Sequence, residues 1–158
     1  MTLAPRWRKL LLVVHVVATV GWLGADLVLL ALAIAGARGA EPVTVYPAAL
    51  LLGEWVIAPL ALVALGTGFT QAWLTPWRFF RHWWVTIKLA LTTVMTVLVV
   101  VALLPGLREA ATLALVRRDR IGLVVAPAVA CFLLLANVVL SVYKPFGRLS
   151  RQPRPGLR

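Results

Sequence analysis

The chain has 158 residues, 62% of them hydrophobic, with a mean hydropathy of +0.96 and a formal net charge of +11. Water would not accept so much apolar surface, so a soluble domain is excluded and a single membrane-embedded domain is expected at this length. One cysteine, Cys131, excludes an intrachain disulfide, and the lack of CxxC and CxxCH excludes covalent c-type haem and cysteine zinc sites.

Four apolar runs are each long enough to cross a bilayer core of about 30 Å, which needs about 20 helical residues. They are residues 10–35, 50–74, 83–104 and 121–143. None alternates with period two, so barrel strands are excluded, and helices satisfy their own backbone in lipid. The short connections predict an all-α, integral membrane four-helix antiparallel bundle. The first run follows Arg6, Arg8 and Lys9 and resembles a signal peptide at its start, but it continues past Asp26 and reads as a retained span.

The second run has Pro47 at its approach and Pro59 inside, and a kink is expected near Pro59. After the third run, residues 106–120 read as a short helix on the outer surface. Residues 150–158 form an Arg/Pro-rich tail expected to be disordered.

Basic residues choose the orientation. Setting Lys88 aside, the N-terminus, second loop and tail hold ten Lys and Arg against five in the other two loops. The positive-inside rule then puts both termini in the cytoplasm, with anionic lipids as partners of the basic ends. Charges gathered at span boundaries in this way argue against nucleic acid as the partner. Trp7, Trp73, Trp77, Trp83 and Trp84 fall at the same boundaries, as an interfacial aromatic belt does.

His15, Thr19, Trp22 and Asp26 follow at spacings of 4, 3 and 4, which stacks them on one stripe of the first helix. An ionisable group at bilayer depth costs about 2.5–3.5 kcal/mol on insertion scales. The stripe should therefore face the bundle interior and meet polar partners there, with Lys88, Glu54 and Asn137 as candidates. Antiparallel register puts His15, Lys88 and Asn137 on one cytoplasmic-side shelf, with Asp26 and Glu54 above it. Thr92 shares the face of Lys88, and Ser141 that of Asn137. Each group also has a plainer reading. Lys88 can snorkel to the interface, Glu54 can reach outer water, and Asn137 and the threonines can serve as interhelical glue. With His15 and His82 as the only histidines, no three-histidine metal site is expected. HExxH, GxSxG and Gly-rich phosphate loops are missing, so hydrolase chemistry is not expected and no catalytic residue is assigned.

Residues His15–Ala25 (HVVATVGWLGA) and the ending Val142–Tyr143–Lys144–Pro145 resemble a family of bacterial predicted integral membrane proteins, domain of unknown function 2269, over nearly the full chain. Two shorter patches are His15 with Trp22 seven residues on, and Trp84–Val85–Thr86–Ile87–Lys88. They resemble the haem-binding membrane protoporphyrinogen oxidase family and the copper-resistance D-type membrane domains. That likeness implies a b-type haem site served by His15 and Lys88, with Trp22 beside it. The chain departs from the oxidase family after the first helix, where Asp26–Leu27–Val28–Leu29 replaces an Arg- and Tyr-rich continuation. Three functions stay open: a haem or redox site, a non-catalytic scaffold or accessory subunit working with a membrane partner or as a homo-oligomer, and a small ion or proton transporter component.

Overall fold

The computed structural model describes residues 4–74, 83–112 and 120–143. Among these the chain is all-α, with four helices long and apolar enough to cross a membrane: α1 (Pro5–Ala37), α2 (Pro42–Leu74), α3 (Val85–Thr112) and α4 (Ile121–Tyr143). The chain has the form of a multi-pass membrane protein. The expected tail lies outside the described residues, as do the side chains of Trp77, Trp83 and Trp84.

Pro5 opens α1 at a position whose N–H has no intrahelical partner, so the missing donor costs nothing. The helix stops at Gly39, whose φ of +101° is left-handed. The Ala40 N–H then reaches back to the Ala35 carbonyl at 3.0 Å, a Schellman ending. Pro42 starts α2 in the same way that Pro5 starts α1.

The helices form a ring in which α1 packs on α2 and α4, and α3 closes the ring against α2 and α4. Helices α1 and α3 stand on one diagonal. Register is antiparallel at every seam that side chains report. Gln71 reaches the Leu11 carbonyl while Thr67 meets His15, so four residues back on α2 is four forward on α1. Lys88 with Ser141, and Thr92 with Asn137, repeat the step between α3 and α4.

Inside lie Ala18, Trp22, Ala25 and Leu29 of α1, Ala58, Ala61 and Ala64 of α2, Met95 and Val99 of α3, and Leu134 of α4. The alanines let helix backbones approach closely, which is how helices hold together where lipid removes the hydrophobic drive. Outward faces carry Val13, Val17, Val20, Leu62, Val97, Phe132 and Val139, all exposed. In a bilayer these contact acyl chains.

Two elements differ from the sequence reading. Helix α2 begins at Pro42 rather than near residue 50, so Pro47 sits inside it. Burial of Val45, Tyr46 and Ala49, with Tyr46 packed close to Gly36 of α1, holds this extension in place. Helix α3 runs on to Thr112, so residues 104–112 continue the span instead of forming a separate surface helix. Leu104 and Leu107 are buried there. A Cβ built on Gly53 would stand 2.8 Å from Leu107 and 3.3 Å from Leu104, which shows how closely α2 and α3 meet.

The irregularity expected near Pro59 takes the form of a π-bulge. The Ala58 N–H bonds the Gly53 carbonyl, one residue farther back than in an α-helix, immediately before the proline. A second bulge of the same kind lies in α3, where the Leu104 N–H reaches Val99 ahead of Pro105. Proline supplies no N–H to the preceding turn, and a π-turn is one way a helix absorbs that loss.

Candidate functional site

The His15 stripe points inward, as its polarity requires. Trp22 is fully buried and Asp26 is 1% exposed, while His15 and Thr19 are half-buried. The partners differ from those expected. His15 Nδ1 lies 2.9 Å from Thr67 Oγ1 on α2. Asp26 Oδ2 accepts from Cys131 Sγ on α4 at 3.5 Å. Glu54 turns to the edge of the bundle and pairs with Arg108 of α3 at 2.6 Å. Lys88 donates to Ser141. Asn137 Nδ2, buried, donates to Thr92 Oγ1 at 3.0 Å.

No continuous column through Glu54, Asp26 and Lys88 forms among the described residues. Polar contacts are instead shared out around the ring, so that each seam has its own. The α1–α2 seam has His15 with Thr67, and Gln71 with the Leu11 carbonyl. The α2–α3 seam has Thr96 on the Ala61 carbonyl at 3.5 Å and the Glu54–Arg108 pair. Lys88–Ser141 and Asn137–Thr92 close α3–α4, and Asp26–Cys131 closes α4–α1. The physical reason is reach. A side chain in a close-packed interior bonds the neighbouring helix before it can cross the axis.

His15 and Lys88 keep a relation to each other even so. They come from the two diagonal helices, and the Lys88 charge acts on the His15 ring. The ring also lies close enough to α2 that a Cβ at Gly68 would stand 3.4 Å from its Cε1.

The hydroxyl of Thr67 fixes the tautomer of a neutral His15. Its single hydrogen goes to the Val63 carbonyl at 2.6 Å, with Ala64 a longer alternative at 3.2 Å. Thr67 Oγ1 is then the acceptor in its contact with Nδ1, and the imidazole is the donor. The Ala64 carbonyl is a further acceptor on α2 beside the ring. Nε2 is then left holding the lone pair. An imidazole anchored through one nitrogen, with the other lone pair available, is the usual state of a metal-ligating histidine.

Trp22 and Asn137 each keep one polar atom without a described partner, the indole Nε1 and the amide Oδ1. Among the described residues no group of three His, Cys, Asp or Glu side chains is placed to hold a metal ion.

Sequence reasoning missed Cys131, Thr67 and Arg108. Cys131 was legible in principle. It is buried on α4 with Leu134 and Asn137, and antiparallel register carries the step from His15 to Asp26 back along α4 from Ser141 to its level. Thr67 carries no such signal, because a threonine inside a membrane helix ordinarily spends its hydroxyl on its own backbone. No family model matches this chain, and neither a curated protein nor a solved structure matches it.

Proposed function

We propose that this chain is a multi-pass protein of a bacterial inner membrane, with both termini cytoplasmic, that binds a b-type haem through His15. The observation that carries the reading is the Nδ1–H tautomer imposed by Thr67, which leaves Nε2 to donate. One imidazole is enough to hold a haem iron, and the cores and seams of helix bundles are common places for the group. The donor set fits on that count. His15 would hold the iron and Lys88, acting on the ring from the diagonal helix, would serve the same site, with Trp22 two turns along the same stripe in the core. Bound haem supplies one-electron chemistry. The protein's part is to fix the imidazole through Thr67 and to shelter it from lipid between α1 and α2. Anionic lipids at the basic ends are the expected surroundings.

The experiment is a haem titration of the purified protein followed by its absorbance spectrum. A Soret band should appear with the wild-type chain, be lost in His15→Ala and survive His82→Ala. A wild-type spectrum indistinguishable from that of His15→Ala would end the reading.

A second reading is favoured by a separate observation, the provision of a polar contact at every seam. On it the chain is a non-catalytic scaffold or accessory subunit, and the contacts fix helix register for a membrane partner or a second copy. His15→Ala would then lower stability and leave no spectral change to lose.

A further inference from the structure

Asp26 is the most deeply buried charge-bearing side chain among the described residues, and the haem reading makes no use of it. It lies near the middle of α1, on the α1–α4 seam, eleven residues from His15. A carboxylate has two oxygens and room for about four hydrogen bonds. Here it has one described donor, the Cys131 thiol at 3.5 Å, and thiols are weak donors. No cation among the described residues pairs with it, since the one ion pair found joins Arg108 to Glu54 at the bundle edge. One turn before it on the same face stands Trp22, fully buried, whose indole N–H is without a described partner.

We propose that Asp26 is a proton-binding site of the bundle interior, the carboxyl taking up and releasing a proton at membrane depth with the Cys131 thiol as its hydrogen-bond partner. The site gains or loses a full charge with each proton, and no cation among the described residues offsets it. Ionisable groups at membrane depth mark proton relays and ion pathways.

A proton suits the surroundings better than a metal cation does. Cation sites are built from several oxygens. The group given to Asp26 among the described residues is an S–H from α4. It is a donor, which would meet a cation with the wrong end of its dipole. The other titratable groups face elsewhere. From α2, Glu54 is turned to Arg108; from α3, Lys88 acts on His15 and is bonded to Ser141; on α1, His15 is held by Thr67. Among the described residues, the side chain hydrogen-bonded to Asp26 is Cys131.

The test uses the wild-type chain in phosphatidylcholine vesicles with dicyclohexylcarbodiimide, an apolar reagent that adds a protonated carboxyl across its C=N bond. Peptide mass mapping over a range of pH reads the modified residue. The expected result is modification of Asp26 with a rate that falls along a single titration as pH rises, unaffected by sodium or potassium. Cys131→Ala should displace the midpoint of that titration. Asp26→Glu should keep the reactivity and Asp26→Asn should lose it. The primary reading needs no variant, so a poorly folding one leaves the test intact. Reaction at Glu54 or Glu109 with Asp26 untouched, a rate independent of pH, or protection by a monovalent cation would each overturn the proposal.

Discussion

The two ends of the bundle are held together by different means. Toward the end that carries the N-terminus, the helices are regular and side chains fasten them: His15 to Thr67, Lys88 to Ser141, Asn137 to Thr92. Toward the other end, α2 and α3 each break α-helical register in a π-bulge before a proline, and the contact between them is a glycine against two leucines. The first end keeps its backbone ideal and places polar atoms within the membrane. The second lets the backbone deviate, sends its described ion pair to the rim and leaves Asp26 with Cys131 as the polar contact of its interior. Polar clasps demand an accurate register between straight helices, which a bulge would spoil. The histidine and lysine chemistry accordingly gathers where the helices are regular, while Asp26 lies at the level of the bulge in α2.

The largest effect should come from forcing the bulged end apart. Gly53 admits Leu107 and Leu104 so closely that a single added methyl would need the leucine tips to move. Those tips are flexible, so Gly53→Ala should be tolerated. Gly53→Leu adds a bulk that cannot be turned aside between two backbones. Overpacking of this kind costs about 1–3 kcal/mol. Unfolding of the two variants in mixed micelles should separate them by that amount. If Gly53→Leu is as stable as Gly53→Ala, close approach is not what joins α2 to α3.

Which of these features could be read from the chain follows from how local they are. The four spans, the inward stripe from His15 to Asp26 and the burial of Thr92 and Asn137 depend on hydropathy and helical period, both visible in one helix at a time. The pairing of Asp26 with Cys131, and of Glu54 with Arg108, depends on two helices at once. A cysteine reads as an apolar residue until a carboxyl is set against it. Arg108 reads as a loop residue until α3 is seen to continue through its bulge, and that continuation rests on Leu104 and Leu107 finding Gly53. The proline signal at 59 announces an irregularity, but not that it would be a π-bulge or that a second bulge would precede Pro105 in the same half of the bundle.

At the clasped end the expected effect is smaller. Asn137→Leu removes the bond to Thr92, and Thr92→Val removes its acceptor. Buried hydrogen bonds between membrane helices average about 0.6 kcal/mol in double-mutant cycles, because the separated helices also find partners. A cycle on this pair should return a coupling of that order. The Asn137 Oδ1 atom has no described partner, so Asn137→Leu also relieves an unsatisfied acceptor and its single-variant cost should be modest. A coupling near zero would mean that the contact sets register without adding stability.

The smallest effect should come from the charged pair at the rim of the bulged end. Arg108 and Glu54 approach to 2.6 Å, but their side chains are 60% and 29% exposed. Solvent and salt screen such a pair, and ion pairs of this exposure are worth about 0–1 kcal/mol. Glu54→Gln should therefore change stability by less than Gly53→Leu does, one residue away on the same helix. What change there is should fade as salt is raised. A loss that persists in high salt would place the pair out of reach of water, and the bulged end would then rely on charge as much as the other end relies on its clasps.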